Sequence, residues 1–278
     1  MNIKGDKLSG TPMVVFLVKT IGIIGAGCLG QEVIDALYNK GHRNIIATRR
    51  NQDKLRSLGE KYQGIQTSSD NNYAAKESDV LILAVKPPLI DTVSKEISYY
   101  TSNKLVISLA AARTIEQIEY AFSDESARVA RVITGLFVAE EVAAYTLSNR
   151  CINEDESAIR YIFGQDARSI EENLLAHRTF IACDTGLIPK SIGEKMQELE
   201  RLGISKEESR LFYAATLHAI ANHLSEGISG EEIYEAVGGK GSFTQKLGNE
   251  QEGIYRLQQK QVTETVNACL GRKENGRD

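Results

Sequence analysis

The sequence predicts an α/β fold in which a mostly parallel, doubly wound sheet is followed by an all-helical segment. Short apolar runs alternate with helical patterns through the first half of the chain, as parallel strands with crossover helices require. After Ser148 the alternation typical of strands stops, and helix-like patterns replace it. We predict helices over Asn153–Phe163 and 254–270, and two more that begin at capping boxes at Ser205 and Ser229. We therefore predict two domains, residues 1–168 and residues 169–278.

The apolar run Ile21–Ile24 leads into the motif Gly25-x-Gly27-x-x-Gly30, and a helical pattern follows at once. Gly25 allows a tight turn, Gly27 lets the backbone approach a pyrophosphate, and Gly30 lets helix and strand pack closely. The helix N-terminus directs unpaired N–H groups and a partial positive charge at the phosphates. The motif therefore predicts a Rossmann-type dinucleotide site. Its cofactor-binding loop comprises Gly25, Ala26, Gly27, Cys28, Leu29 and Gly30.

The end of the second predicted strand favours NADP over NAD. Roughly 20 residues past the glycines, NAD-specific enzymes carry an Asp or Glu that binds the ribose 2′-hydroxyl. This chain has Thr48, Arg49 and Arg50 at that place. Two guanidiniums can hold a 2′-phosphate, and the segment has no carboxylate to repel it. Two solvated arginines on a surface turn are the alternative.

Two more predicted strands end in segments suited to a ligand. Residues 79–85 form a near-continuous apolar run, as in a strand buried on both faces, and Lys86 and Pro87 follow it. Residues 104–109 lead into small residues from Ala110 onward, which permit close approach of a ligand or of a helix. Open α/β sheets bind ligands at the carboxyl ends of their strands.

In order and spacing, these segments resemble the pyrroline-5-carboxylate reductase family. The resemblance is carried by the glycine motif, the pair Asp70-Asn71, the Ala-Val-Lys-Pro segment at 84–87, the Ser-x-Ala-Ala segment at 108–111 and the Arg-Val strand at 128–132. It implies that NADPH is the cofactor and that Asn71 lies near the adenine ribose. It also implies that Ala84, Val85, Lys86 and Pro87 lie near the nicotinamide ribose. Ala110 is a further predicted cofactor-binding residue.

In that family a helical domain forms the dimer, and each active site lies between one subunit's nucleotide domain and its partner's helices. The resemblance thus implies a homodimer or larger homo-oligomer, with residues 169–278 as the dimerisation and substrate domain. Residues 237–244 occupy the place of the family's substrate loop, where a glycine-rich turn presents N–H groups to a carboxylate. Thr244 matches the threonine that orients the substrate nitrogen and is the predicted catalytic residue. The predicted substrate-binding residues are Lys240, Gly241, Ser242, Phe243 and Thr244.

The chain departs from the family pattern on the substrate side. The family's Met-Pro-Asn-Thr-Pro is Ile-Thr-Gly-Leu-Phe at 133–137, which removes a polar side chain beside the nicotinamide. The family's Ser-Gly-x-Gly-Pro is also altered, at 184–189. A plain glycine-rich linker is the alternative for residues 238–241.

Several other classes of function are disfavoured. The net charge of -4 argues against a nucleic-acid partner, and the apolar run before the glycine motif is too short to span a membrane. Four scattered cysteines fit a reduced, cytoplasmic setting. His218 and His223, five apart on one predicted helix, face different directions and predict no metal site. The acidic run Glu154–Glu156 is expected to be a solvated helix start.

The leading expectation is NADPH-dependent reduction of a small cyclic imino acid, 1-pyrroline-5-carboxylate to proline in proline biosynthesis. Three alternatives remain. The first is an NADP-linked reductase of the same fold that acts on another imine or carbonyl, or exchanges hydride with a deazaflavin. The second is a catalytically idle NADP-binding sensor, and the third is a purely structural dimerisation module.

Overall fold

The computed structural model describes residues 19–111, 113–122, 126–135 and 138–238, together with 242, 244–246, 260, 261, 264 and 267. The backbone forms two compact units that divide between Ala182 and Cys183, inside a helix. The predicted domain boundary between residues 168 and 169 lies shortly before that helix and stays a prediction. Most of the helix predicted for 254–270 lies outside the described residues.

The first unit is built on an eight-stranded sheet in the order β3-β2-β1-β4-β5-β6-β7-β8, counted over the described residues. All neighbouring strands are parallel except β6 and β7. The strands are β1 Ile21–Ile24, β2 Ile45–Thr48, β3 Gln66–Ser68, β4 Val80–Leu83, β5 Leu105–Ser108, β6 Arg128–Ile133, β7 Ala144–Leu147 and β8 Arg168–Ser169. The predicted doubly wound, mostly parallel sheet is confirmed.

Helices cover this sheet and form the second unit. They are α1 Cys28–Asn39, α2 Gln52–Lys61, α3 Asn71–Glu77, α4 Ile90–Ile97, α5 Ile115–Ala121, α6 Asn153–Phe163, α7 Glu172–Thr185, α8 Ile188–Arg201, α9 Lys206–Ser225 and α10 Gly230–Val237. The helix α6 has the predicted bounds. The two-residue strand β8 was not predicted, because two residues show no alternation.

Burial on both faces explains the apolar character of the central strands. Every residue of β1, β2, β4 and β5 is buried. In β4, Val80 and Ile82 pack in the cluster that includes α1 and α6, whereas Leu81 and Leu83 pack in the cluster that includes α4. Each fully buried aliphatic side chain contributes about 1.5–3 kcal/mol. The sheet is therefore the stable frame on which the strand-end loops are built.

The parallel register aligns the carboxyl ends of four strands. Ile24 of β1 neighbours Leu83 of β4, Leu83 neighbours Ser108 of β5, and Ser108 neighbours Arg131 of β6. We call Ile24, Leu83, Ser108 and Arg131 the carboxyl-end row. On β1, β4 and β5, the chain leaves the sheet directly after this row.

Two predicted helix starts differ in detail from expectation. Asp155 is buried and not solvated, because it lies on the same face of α6 as the buried residues Ala158, Ile159 and Ile162. The Ser205 side chain accepts a hydrogen bond from the Glu208 N–H but forms no reciprocal capping box. Ser229 does form one, with Glu232. The capping role of both serines is confirmed.

His42, a fully buried titratable residue, lies where α1 packs near α6. Its Nδ1 is 3.1 Å from the Tyr161 hydroxyl and its Nε2 is 3.2 Å from the Asn44 carbonyl oxygen. Burial lowers the pKa of His42 from 6.5, hydrogen bonds to the Asn44 and Lys19 backbone oppose this, and the Arg43 charge lowers the pKa further. The folded protein therefore keeps His42 neutral at a pH where the unfolded chain binds a proton.

Acidification should accordingly destabilise the protein through His42. Because the pKa is depressed in the folded state, the stabilisation is present above pH 6.5 and is lost as the pH falls below it. We expect the free energy of unfolding, measured by urea titration between pH 7 and 5, to fall more steeply in the wild type than in His42→Gln. The difference in slope is at most about 1.4 kcal/mol per pH unit. Parallel pH profiles would contradict this.

Candidate cofactor site

The glycine turn after β1 is tied to the end of β2. Gly25 has a φ of +91°, a left-handed conformation that favours glycine. The N–H groups of Gly25 and Ala26 donate to the Thr48 carbonyl oxygen at 3.2 and 2.8 Å. A Cβ on Gly25 would lie 2.6 Å from Cγ1 of Val85, in the loop after β4. The turn therefore lies where the strand order reverses between β1 and β4, the usual ligand position in such sheets.

The start of α1 leaves room for an anion. Gly27 is the residue before the helix, and no side chain among the described residues caps it. A Cβ on Gly27 would have one neighbour within 4 Å, the Gly25 carbonyl oxygen at 3.9 Å, whereas a Cβ on Gly30 would lie 2.7 Å from that same oxygen. Gly30 is thus required for packing, while Gly27 borders open space. The uncapped helix N-terminus can donate to a pyrophosphate.

Thr48 and Asn71 form a polar link beside the glycine turn. The buried Thr48 hydroxyl donates to Oδ1 of Asn71 at 2.7 Å and lies 3.4 Å from the Gly25 amide nitrogen. Nδ2 of Asn71 in turn donates to Oε2 of Glu96 at 3.0 Å. Asn71, the predicted adenine-ribose residue, therefore also has a structural role, since it connects the turn with α3 and α4.

The two arginines after β2 have different surroundings. Nη1 of Arg49 donates to the Ala26 carbonyl oxygen at 2.8 Å, so its guanidinium lies against the glycine turn. Arg50 is exposed and has no ion pair with any residue that the structure describes. The nearest acidic residue along the chain, Asp53, pairs with Arg56 at 2.8 Å. Arg50, which has no ion pair within the described part of the chain, and Arg49, which lies beside the turn, form a positive rim.

The loops after β4 and β5 border the same edge. The Ala84 N–H donates to the Ile24 carbonyl oxygen at 2.9 Å, and the Leu109 N–H donates to that of Leu83 at 3.0 Å. Lys86 is exposed, and Pro87 begins a short 3₁₀ turn that leads into α4. Ala110 is buried. The first unit thus contains all of the residues predicted to bind the cofactor, on strand ends, loops and helix starts at the carboxyl-end edge of the sheet.

The predicted substrate residues are only partly described. Ser242 and Thr244 belong to the second unit, whereas Lys240, Gly241 and Phe243 lie outside the described residues. The Ser242 hydroxyl accepts a hydrogen bond from the Gln245 N–H at 3.0 Å, as a helix cap does. The Thr244 carbonyl oxygen lies 3.5 Å from the Tyr234 hydroxyl. The catalytic role of Thr244 stays a prediction.

The end of β6 carries two features that sequence reasoning missed. A cavity of about 360 Å³ is lined by Thr134, by the charged residues Glu141, Asp166, Arg168 and Arg178, and by apolar neighbours. In addition, the buried Arg131 pairs with Glu172, with Nη1 and Oε1 2.7 Å apart. The available signal was an arginine between Ala130 and Val132 in an apolar strand, since a buried charge requires a partner.

The part of the chain that the structure describes offers neither a metal centre nor a membrane-spanning helix. No group of three His, Cys, Asp or Glu side chains there could hold a metal ion. Within that part of the chain, no helix has the length and apolar character needed to cross a membrane.

The chain is similar to known reductases along its whole length. The family model "NADP oxidoreductase coenzyme F420-dependent" matches residues 20–112. Pyrroline-5-carboxylate reductase from Methanosarcina acetivorans is 29% identical over 93% of this chain and 97% of its own length. Pyrroline-5-carboxylate reductase 2 from Bacillus subtilis is 25% identical over 91% of this chain and 92% of its own length.

A solved structure has the same fold. The crystal structure of Plasmodium falciparum pyrroline carboxylate reductase with NADP bound aligns with a TM-score of 0.74 at 18% identity, over 91% of this chain and 97% of that one. The nucleotide-site geometry, the full-length relatives and this fold agree. In sequence and fold, the chain is similar to the pyrroline-5-carboxylate reductases, and the family model that matches its first part is one of NADP oxidoreductases.

Proposed function

We propose that this protein reduces a small cyclic imino acid with NADPH in the cytoplasm, converting 1-pyrroline-5-carboxylate to proline in proline biosynthesis. The observation that carries this proposal is similarity over nearly the full length of named reductases, 97% of the Methanosarcina enzyme. Similarity confined to the nucleotide-binding half would support only the cofactor. The glycine turn and the positive rim supply the matching cofactor site.

The residues of this chain fit NADPH. The open space at Gly27 and the uncapped N-terminus of α1 suit the pyrophosphate, and Arg50, unpaired among the described residues, suits the 2′-phosphate. Arg49 adds a second positive charge beside the turn. In the Plasmodium structure the bound nucleotide is NADP. We therefore propose NADP over NAD.

The protein acts by position and electrostatics. NADPH, when bound, supplies the hydride that adds to the C=N carbon. The protonated imine is already electrophilic, so no strong acid is required. We assign Thr244 to orient the imine nitrogen, and the backbone amides of residues 241–243 to hold the carboxylate. Both assignments come from the family resemblance.

A second candidate is hydride exchange between NADP and a deazaflavin. The observation that favours it is the description of the matching family model, which names coenzyme F420. That match ends at residue 112 and covers the nucleotide-binding segments, so it bears on the cofactor more than on the second substrate.

The altered segment at 133–137 favours a third candidate, reduction of another imine or carbonyl. A catalytically idle NADP sensor and a purely structural module remain the non-enzyme alternatives.

The second unit supports a homodimer or larger homo-oligomer. The helix α8 buries none of its residues and the twenty-residue α9 buries only Ser209. Leu202 and Phe212 are 72% and 70% exposed. Helices of this kind gain most of their stability from packing an apolar face, and monomers rarely expose large apolar patches. We propose that a second copy of the chain covers these helices.

Sedimentation should therefore report a dimer or larger species at micromolar concentration. Phe212→Glu should shift the protein toward the monomer, because it places a charge in the proposed interface. Tyr99→Glu is the matched control, since Tyr99 is 88% exposed on the first unit and should leave the assembly unchanged. A wild type of monomer mass contradicts the proposal.

The proposed reaction should appear as oxidation of NADPH when the purified protein receives 1-pyrroline-5-carboxylate. We expect proline as the product, a lower kcat/KM with the six-membered imine, and slower turnover with NADH. Turnover of the six-membered imine alone would support the broader imine reductase. Reduction of coenzyme F420 alone would support deazaflavin exchange. Binding of NADPH without turnover of any of these would support the sensor.

The cofactor site has its own test in the paired variants Gly27→Ala and Gly30→Ala. Gly27→Ala should change the free energy of unfolding by at most about 1 kcal/mol, because its Cβ has room. It should nevertheless raise the Kd for NADPH at least tenfold, since that room is the place proposed for the pyrophosphate. Gly30→Ala should destabilise the protein by about 1–3 kcal/mol through overpacking.

Gly59→Ala in α2 is the control, because its Cβ would make ordinary contacts of 3.7 and 3.8 Å with Thr67. It should leave the Kd for NADPH unchanged. An unchanged Kd in Gly27→Ala as well would remove the pyrophosphate from this turn.

A further inference from the structure

Two arginines of β6 make the same kind of contact. Nε of Arg128 lies 2.8 Å from Oδ2 of Asp155, and that oxygen also accepts the Ile152 N–H at 2.8 Å, just before α6. Nη1 of Arg131 lies 2.7 Å from Oε1 of Glu172, and that oxygen also accepts the Ile115 N–H at 2.7 Å, at the first residue of α5. In each pair a carboxylate joins a strand arginine to a helix start.

The register sets these two pairs at opposite ends of the strands. Arg128 neighbours Leu105, which neighbours Val80, and these are the first residues of β6, β5 and β4. Arg131 belongs to the carboxyl-end row, level with Ile24. The glycine turn follows Ile24 directly. Only the pair of Arg131 with Glu172 therefore lies at the edge where the cofactor residues are.

Glu172 holds one end of the connection between β5 and α5. At the other end of this connection, Leu109 is fixed by its hydrogen bond to the Leu83 carbonyl oxygen. Ala110 and Ala111, the small residues that permit a ligand to approach, follow Leu109. Oε1 of Glu172 accepts the N–H of Ile115 at the start of α5, where Thr114 and Gln117 also form a capping box. The carboxylate therefore helps to fix the end point of the backbone that carries the two alanines.

The pair is poorly suited to a purely stabilising role. Arg131 is 5% exposed, and its Nε, also buried, has no hydrogen-bond partner among the residues that the structure describes. The Glu172 side chain is 35% exposed, so solvent screens its charge, while the buried arginine keeps an unsatisfied donor. Such a pair stabilises a fold little better than apolar residues of similar volume. The position of Arg131 in the carboxyl-end row therefore requires an explanation other than stability.

We propose that Glu172, held by Arg131, is a positioning residue that fixes Ala110 and Ala111 against the nicotinamide end of the cofactor. This inference rests on the proposed function, since it assumes that NADPH occupies the carboxyl-end edge of the sheet. Glu172 itself does not touch the reacting atoms. It acts through the Ile115 N–H and through the backbone between β5 and α5.

The variants Glu172→Ala and Glu172→Gln test the proposal. Asp155→Ala and Asp155→Asn, which alter the pair at the opposite ends of the strands, are the matched controls. Glu172→Ala should lower kcat at least tenfold and leave the Kd for NADPH within threefold, because the glycine turn, Arg49 and Arg50 are untouched. Glu172→Gln should recover part of kcat, since its amide oxygen can still accept the Ile115 N–H. Asp155→Ala and Asp155→Asn should lower the Tm but keep kcat within twofold at a temperature where they are folded.

Equal loss of kcat in the Glu172 and Asp155 variants would overturn the proposal, as would a kcat within twofold of wild type in Glu172→Ala. A second readout does not require turnover. The fluorescence of bound NADPH reports the surroundings of its nicotinamide, and it should change in Glu172→Ala and stay constant in Asp155→Ala. If the wild type does not reduce 1-pyrroline-5-carboxylate, the proposed function fails, and unchanged fluorescence in Glu172→Ala then separately overturns the positioning role.

Discussion

The parallel pairing of β1 with β4 is the constraint on which the cofactor site depends. Their register sets Ile24 beside Leu83, so the glycine turn and the Ala84 loop leave the sheet side by side. Hydrogen bonds from the N–H groups of Gly25 and Ala26 to the Thr48 carbonyl oxygen then hold the end of β2 beside these two loops. A shift of one residue in this pairing would reverse the face of every side chain in β4 and separate these loops.

The sequence could predict the features that arise from short stretches of chain. The glycine motif, the buried strands, the bounds of α6 and the capping by Ser205 and Ser229 follow from local periodicity, backbone freedom and hydrogen-bonding groups. The order of strands and helices then implied a doubly wound sheet. Predictions from local pattern and element order do not depend on which distant segments of the chain come into contact.

Features that depend on distant partners could not be predicted. The residues around Asp155 and Glu172 in the sequence do not indicate that each carboxylate forms an ion pair with an arginine of β6. The division between the two units falls inside α7, because the first turns of that helix bury Leu175, Ala176 and Thr179. Residues 238–244 resemble a family loop only in part, so their role depends on the resemblance and not on local chemistry.

The contact between Arg49 and the Ala26 carbonyl oxygen has a consequence for the entropy of binding. A free arginine side chain loses up to about 2 kcal/mol of rotamer freedom when it is ordered. Arg49 has already lost much of that freedom on folding, whereas the exposed Arg50 has not. If the proposed 2′-phosphate binds here, Arg49 is already ordered for it, whereas Arg50 loses its side-chain freedom on binding.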